Sequence, residues 1–484
     1  MSGLKVLSVA SEVFPLIKTG GLADVIGALP GALVREDVDM RTLLPAYPSV
    51  KAKLGGAEPI HEYPDLFGGA ARIIAGRTAG LEIFALDAPH LFDRPGNPYL
   101  GPDGTDWPDN ARRFAALARA GADIGLGAIA AFEPDILHAH DWQAGLAPAY
   151  LRYSGRRAPG SLVTVHNLAF QGHFPISQFW ELGLPESALT VDGVEYYGGV
   201  GYLKAGLLLA DVITTVSPTY AREIQTHEFG MGLDGLLRTR SGVVHGIRNG
   251  IDERIWDPST DPALVQTYSP IRIDVRGRNK TALQTKLRLA RSVDRPLFAV
   301  VSRLTHQKGL DLFLHALPRI LDQGGQLAVL GSGERSLQSS FGDLASSRPD
   351  QASCVFRYDE TLAHLFQSAA DFIVVPSRFE PCGLTQLCAL RYGAAPIVSR
   401  VGGLADTVID ANDAALAAGV ATGFQFAPLS IEALGGAIDR AIAVYHDPSA
   451  MRRMRLNGMR TDVTWRGPAT RYADLYRSVA RMAA

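Results

Sequence analysis

Val375-Pro-Ser-Arg-Phe-Glu-Pro-Cys-Gly-Leu-Thr385 follows the apolar run Phe372-Ile-Val-Val and precedes the helix-compatible run Gln386-Leu-Cys-Ala-Leu-Arg391. An apolar run, a turn punctuated by Pro and Gly, and a helix start are how an α/β protein places polar groups at the carboxyl end of a parallel sheet, where such proteins bind ligands. A single carboxylate, Glu380, lies in that turn. The N–H groups of Gly383, Leu384 and Thr385 open the following helix, whose positive end suits an anion or a sugar hydroxyl. Met in isolation, such a stretch is as often an ordinary strand-to-helix loop with a surface Glu as half of an active site. The rest of the chain decides between the two.

A chain of 484 residues exceeds what one core supports, since single cores stop growing near roughly 250–300 residues; two domains are expected. Forty-seven basic against 49 acidic residues give a formal net charge of −2, which leaves no electrostatic footprint for nucleic acid or an anionic membrane. The densest basic cluster, Arg272 to Lys280, reads as a solvated helix start. Cys354, Cys382 and Cys388 are too few and too scattered for a disulfide framework or a metal site, which fits a reducing cytoplasm. Met1 to Ala10 reads as a first strand and not as a signal peptide. No apolar window reaches the about 18 residues of a membrane span.

Leu4-Lys-Val-Leu-Ser-Val-Ala10 has the pattern of a buried strand, and Lys18-Thr-Gly-Gly-Leu-Ala-Asp24 follows it. Gly20 and Gly21 let backbone N–H groups approach a ligand, the helix beyond adds its dipole, and Lys18 adds a full charge: an oxyanion or phosphate cradle. It is neither the three-glycine dinucleotide fingerprint nor a P-loop, whose Lys follows the glycines. Further strands end in polar residues: His138, His140 and Asp141; His166 and Asn167; Ser217. His138 and His140 share a strand face, but no third ligand has a matching spacing, so a zinc site is rejected and no metal is expected.

Strand–helix alternation restarts at Leu297-Phe-Ala-Val-Val301 and continues through Gln326–Leu330, Phe372–Val375 and Ala395–Val398. The expected organisation is a Rossmann-like domain over residues 1–247, a Pro/Asp-rich connection over 248–262, a second Rossmann-like domain over 263–463, and a helix over 464–484 crossing back to the first. Two doubly wound parallel sheets facing each other across a deep cleft is the architecture implied. Gly20-Gly-Leu-Ala-Asp24 recurs as Gly402-Gly-Leu-Ala-Asp406, read as glycine loops at corresponding positions of related folds. Arg303 and Lys308, in Ser302-Arg-Leu-Thr-His-Gln-Lys-Gly309, stand where they can converge on a diphosphate. Charge of that kind stabilises a leaving phosphate without Mg²⁺, and the chain has no Asp-x-Asp pair for a metal-held sugar nucleotide.

Seven motifs in order carry a resemblance: Lys18-Thr-Gly-Gly-Leu, His138-Ala-His-Asp-Trp, Thr164-Val-His-Asn-Leu-Ala-Phe-Gln-Gly172, Arg248-Asn-Gly-Ile-Asp252, Ser302 to Gly309, Ser377 to Thr385, and Val401-Gly-Gly-Leu-Ala-Asp406. Together they resemble the bacterial glycogen synthases, which belong with plant starch synthases among the retaining glycosyltransferases of the GT-B fold. The resemblance implies transfer of glucose from ADP-glucose to the non-reducing 4-OH of an α-1,4-glucan, with retention of configuration, release of ADP and no metal cofactor. Residue by residue, it implies that Glu380 is the catalytic carboxylate and that Arg303 and Lys308 hold the departing diphosphate. Lys18, Gly20 and Gly21 would form the other side of the nucleotide site, with Thr385 on a phosphate and Tyr358 stacked on the base. His166, Asn167, Asn249, Cys382, Gly383 and Leu384 would meet the transferred glucose; Tyr99 and Asp141 would lie toward the acceptor. Related transferases often carry a second Glu eight positions after the first, where this chain has Cys388, so no second carboxylate is expected. Double displacement and same-face attack both remain compatible with one carboxylate. Stacking on Tyr358 serves adenine and uracil alike. Two other readings compete: a nicotinamide-dependent oxidoreductase, disfavoured by the absent fingerprint, and a catalytically silent glucan-binding protein, disfavoured by the intact Lys18, Arg303, Lys308 and Glu380.

Overall fold

The structure, a computed structural model, describes residues 3–54 and 57–483. The chain divides into two compact units: Met1–Asn249 with Trp465–Ala484, and Gly250–Thr464.

In the first unit the strands are β1 (Leu4–Val9), β2 (Val38–Pro45), β3 (Glu58–Tyr63), β4 (Ala71–Thr78), β5 (Leu81–Asp87), β6 (Ile136–His140), β7 (Gly160–Val165), β8 (His173–Pro175), β9 (Glu195–Tyr196), β10 (Gly199–Gly201), β11 (Val212–Thr215) and β12 (Val244–Gly246). The main sheet has the order β12-β11-β7-β6-β1-β2-β5-β4-β3, and β8, β10 and β9 make a small antiparallel sheet of their own. From β12 to β5 every pairing is parallel. β4 and β3 then extend the edge as an antiparallel pair, which departs from the all-parallel sheet expected. β3 is largely exposed, with no unbroken apolar run to mark it as a strand. β6 and β7, by contrast, are buried along their whole length, as parallel strands covered on both faces must be.

The helix Arg466–Ala483 returns to this unit and buries Ala469, Tyr472, Tyr476 and Val479 against Val6, Ile136 and Leu162. Its Tyr476 hydroxyl is 2.8 Å from His138 Nδ1, while His138 Nε2 is 2.6 Å from Thr164 Oγ1. His138 is thereby a fully buried structural residue, its protonation pushed well below the ordinary imidazole value by burial.

The second unit contains β13 (Leu297–Val301), β14 (Gln326–Leu330), β15 (Ala352–Val355), β16 (Phe372–Val375), β17 (Ala395–Ser399) and β18 (Phe424–Phe426). They form one parallel sheet in the order β15-β14-β13-β16-β17-β18. Counted along the unit this is 3-2-1-4-5-6, the doubly wound order in which helices leave to opposite faces from the first and fourth strands and open a crevice between them. The parallel part of the first unit runs the same way, with β1 and β6 as its first and fourth strands.

The stretch 248–262, expected as a connection between domains, is from Gly250 onward part of the second unit. The Ile251 N–H donates to the Val463 carbonyl at 2.9 Å, and Trp256 stacks on His364 with ring centroids 3.8 Å apart. Asp261 is buried and accepts from His364 Nδ1 at 2.7 Å and the Tyr392 hydroxyl at 2.5 Å. Asp261 is thus a buried polar anchor, while Ser259, Thr260 and Pro262 of the same stretch are exposed. No helix among the described residues is long and apolar enough to cross a membrane.

Candidate active site

In the second unit the crevice between β13 and β16 is flanked by the loop after each strand. The loop after β16 carries Glu380, whose side chain is 8% exposed and accepts from Lys308 Nζ at 2.5 Å and Ser377 Oγ at 2.8 Å. Lys308 comes from the loop after β13, so the ion pair closes the crevice at the switch point of the sheet. Lys308, Ser377, Glu380, Gly383, Leu384 and Thr385 line a cavity of about 50 Å³ there, with Val301, Ser302, Val374, Val375 and Pro376. The Thr385 hydroxyl donates to the Val301 carbonyl at 3.3 Å. Cys382 is buried, and Gly383 turns with φ +70°, a conformation glycine adopts freely. Arg303 is exposed on the loop after β13 and lies outside the cavity lining. Tyr358 is 70% exposed beyond β15, its hydroxyl bonded to the Glu360 carboxylate.

What holds Lys308 against Glu380 is a clamp that the sequence did not announce. Arg378 forks onto Asp311 with two contacts of 2.7 Å and donates to the His306 carbonyl at 2.7 Å. The Arg378 N–H donates to the Gln307 carbonyl at 2.9 Å, and Gln307 Nε2 reaches the Phe379 carbonyl at 3.3 Å. The two loops are thus tied on both sides of the ion pair.

A second support lies in Gly402 and Gly403, at the start of the helix Gly402–Thr407 after β17. The Gly403 N–H donates to the Glu380 and Pro381 carbonyls, each at 3.1 Å. A Cβ on Gly402 would stand 2.0 Å from the Glu380 carbonyl oxygen, and one on Gly403 2.2 Å from that of Cys382. Only glycine fits so close a backbone approach. This corrects the reading of the repeated Gly-Gly-Leu-Ala-Asp as corresponding loops: one copy follows the first strand of its sheet, the other the fifth. Gly20 faces open space, where a Cβ would meet no atom within 4 Å, whereas the second pair packs against the carboxylate's own backbone.

In the first unit the loop after β1 leads to the helix Gly21–Leu33, with Gly20 at its N-cap. Lys18 Nζ pairs with Asp24 Oδ1 of that helix at 2.8 Å. Glu12, which has no distinguishing pattern in the sequence, is buried and organises the loop: it accepts from the Thr19 N–H, from Thr19 Oγ1 at 2.6 Å and from the Tyr99 hydroxyl. Tyr99 also lies 2.8 Å from Ser11 Oγ. One buried carboxylate therefore joins the Lys18–Gly21 loop to Tyr99.

After β6, Asp141 holds φ 54° and ψ −166°, a conformation costly for a residue with a Cβ. Its Oδ1 accepts from the His166 N–H at 2.7 Å and the Asn167 N–H at 3.4 Å, fixing the backbone after β7. Burial pushes its carboxyl up to about 7 against the opposing pull of those N–H groups. His166 Nε2 lies 3.0 Å from His140 Nδ1, and burial pushes His166 down to about 3 and His140 well below the ordinary value. Asn249 is buried, and its Oδ1 has no hydrogen-bond partner among the described residues.

The structure thus brings Lys308, Glu380, Gly383, Leu384 and Thr385 together in one unit, and in the other joins Thr19, beside Lys18, to Tyr99 through Glu12 and joins Asp141 to His166 and Asn167. Comparison with known proteins adds an independent line. Residues 5–239 match the family described as starch synthase catalytic domain, and residues 285–460 match glycosyl transferases group 1. A protein named glycogen synthase from Rhodopseudomonas palustris (strain BisA53) is 59% identical over 479 residues, 99% of this chain and 98% of its own. One of the same name from Rhodopseudomonas palustris (strain HaA2) is 58% identical over 99% of both chains. Among solved structures, the catalytic domain of starch synthase IV from Arabidopsis thaliana, bound to ADP and acarbose, is similar with a TM-score of 0.90 at 33% identity, over 99% of this chain and 100% of that one.

Proposed function

The chain belongs to the glycogen synthase family of GT-B glycosyltransferases, and on that premise we propose that it transfers glucose from ADP-glucose to the non-reducing 4-OH of an α-1,4-glucan, with retention of configuration and release of ADP. The observation that carries this reading to particular atoms is the buried Lys308–Glu380 pair at the switch point of the second sheet. Departure of a nucleoside diphosphate leaves negative charge on phosphate and positive charge at the sugar C1. A lysine and a carboxylate in contact offer one partner to each. When the diphosphate arrives, Lys308 shares its charge with the phosphate, and the Glu380 carboxylate gains the developing oxocarbenium as its counter-charge. Arg303, exposed on the same loop, supplies further donors to the phosphates, and Thr385 one hydroxyl. Lys18 and the open backbone at Gly20 serve the nucleotide from the first unit, and His166 and Asn167 serve the sugar. Family membership removes the ground for an oxidoreductase, and a silent binding protein has no need of a lysine–carboxylate pair in a closed crevice.

Because cationic side chains are available for the phosphates, the proposed reaction needs no metal cofactor. None of Cys354, Cys382 and Cys388 is in a disulfide, which accords with work in the cytoplasm. The test is glucose incorporation into glycogen by purified protein with ADP-glucose or UDP-glucose as donor, EDTA being present throughout. Incorporation from ADP-glucose despite EDTA is expected. Loss of turnover with EDTA, restored by a divalent ion, would overturn the metal-free reading; a preference for UDP-glucose would overturn the donor; no incorporation by folded protein would overturn the transfer itself.

A further inference from the structure

His140 is completely buried, and its two ring nitrogens are used unequally. Nδ1 is 3.0 Å from His166 Nε2, while Nε2 is buried with no hydrogen-bond partner among the described residues. The ring is crowded by His138, whose centroid lies 3.9 Å away with the planes tilted by 38° and which is itself bonded at both nitrogens. Two neutral imidazoles in contact share one proton along the contact, so two arrangements are available. If His166 Nε2 donates, His140 must carry its proton on Nε2, leaving a buried N–H with nothing to bind. If His140 Nδ1 donates, the orphan is a bare lone pair. Unpaired buried donors are the rarer and costlier of the two. The second arrangement leaves His166, a half-buried residue, with its own proton on Nδ1, a nitrogen with no protein hydrogen bond among the described residues.

We propose that His140 is a positioning residue that locks His166 in the Nδ1–H tautomer, so that His166 presents an N–H donor, and not an acceptor, to a hydroxyl oxygen of the transferred sugar. This rests on the reading that His166 meets that sugar. Burial holds both rings neutral, so neither titrates out of the arrangement near neutral pH. Asp141 completes the device from the backbone side, gripping the His166 N–H at 2.7 Å. A neutral donor whose tautomer is already fixed adds no reorganisation when charge develops at the sugar.

The experiment is a long-range ¹H–¹⁵N correlation spectrum of the full chain labelled at histidine nitrogen, with the His166 signals identified by their loss in His166→Asn. The expected pattern for His166 is protonation at Nδ1; protonation at Nε2 overturns the proposal. His140→Phe removes the donor, and the expected result is that His166 populates the other tautomer while kcat falls by about tenfold and KM for ADP-glucose stays within about threefold. His140→Asn keeps an amide N–H near the Nδ1 position, and is expected to retain both the Nδ1–H pattern and most turnover. An unchanged His166 tautomer in His140→Phe overturns the proposal; if that variant does not fold, the wild-type spectrum and His140→Asn decide. The spectrum needs no turnover, so failure of the transferase reading would show separately, as absent incorporation by the wild type.

Discussion

Replacing Gly403 by alanine puts a methyl group 2.2 Å from the Cys382 carbonyl oxygen and 2.5 Å from the Cys382 Cα. Both neighbours are backbone, so no flexible side chain can yield. Ordinary contact requires the Glu380-bearing loop or the helix Gly402–Thr407 to retreat by about 1 Å, and overpacking of this kind costs about 1–3 kcal/mol. The same shift lengthens the Gly403 N–H bonds to the Glu380 and Pro381 carbonyls, now 3.1 Å, and moves the carboxylate relative to Lys308. A misplacement of about 1 Å at a reacting group can cost on the order of a hundredfold in rate. Gly20→Ala is the matched control, because the same methyl there meets nothing within 4 Å and the backbone has the unstrained φ of −158°. Thermal denaturation and initial-rate kinetics with ADP-glucose separate the two. Gly403→Ala is expected to lose Tm and kcat together, and Gly20→Ala to keep its Tm while KM for the donor rises, since the methyl occupies open space that the proposed function gives to the ligand. Equal behaviour of the two variants, or a fully active Gly403→Ala, would refute the assignment of one pair to support and the other to ligand approach.

Glu380→Gln is expected to lose nearly all turnover while ADP still binds, measured by calorimetry beside the transfer assay; retained turnover in folded protein would remove Glu380 from the chemistry. Lys308→Met leaves Glu380 buried without its cation and is expected to destabilise the fold by a few kcal/mol in denaturant titrations as well as to abolish transfer. Arg378→Lys keeps the charge but loses the fork onto Asp311, and is expected to lower kcat about tenfold with under about 1 kcal/mol of stability lost, since the pair is partly solvated. For Asp141 the folded carboxyl is raised from 3.8 to about 7, so its contribution to stability is fully present below 3.8 and is lost as pH rises to 7. Asp141→Asn cannot ionise, so its stability relative to the wild type should climb by up to about 4 kcal/mol between pH 4 and pH 8; a flat difference in urea midpoints across that range would contradict the burial of Asp141.

The carboxylate loop was legible because β16 is buried on both faces and so reads as the unbroken run Phe372-Ile-Val-Val, after which a Glu among Pro and Gly is conspicuous. Lys308 was legible for the same reason beyond β13. Their support was not. The Arg378 clamp joins residues 67 and 72 positions apart, and nothing in the local pattern of either loop announces the other. Glu12 looks like an ordinary polar residue at a strand end until Tyr99, 87 positions away, is placed on it. The two copies of Gly-Gly-Leu-Ala-Asp misled because identical local sequence specifies a helix start but not which strand of the sheet precedes it. In the 250–262 stretch Asp261 is the one buried Asp, held by His364 and Tyr392 more than a hundred positions away, and local composition does not show that.

The true correspondence between the units lies in strand order. In each sheet a lysine follows the first strand and a carboxylate the fourth: Lys18 and Asp141 around β1 and β6, Lys308 and Glu380 around β13 and β16. The same fold positions nevertheless carry opposite electrostatics. Lys308 turns inward onto Glu380, whereas Lys18 is taken by Asp24 of its own helix, and Asp141 has no ion pair among the described residues. Without a cation, a buried carboxylate is held by neutral hydrogen-bond donors alone, and Asp141 accepts from the His166 and Asn167 N–H groups while its carboxyl rises to about 7. An acid that is partly neutral near pH 7 is poorly suited to oppose positive charge at C1, but well suited to shaping the backbone that carries His166, the histidine proposed to face the sugar. A carboxylate already accompanied by a cation is suited to the first task, because an arriving phosphate draws that cation away when a counter-charge is needed. The doubly wound topology sets where each pair stands, and which neighbour captures the lysine decides which carboxylate has a cation beside it, the ground on which Glu380 is proposed for the chemistry.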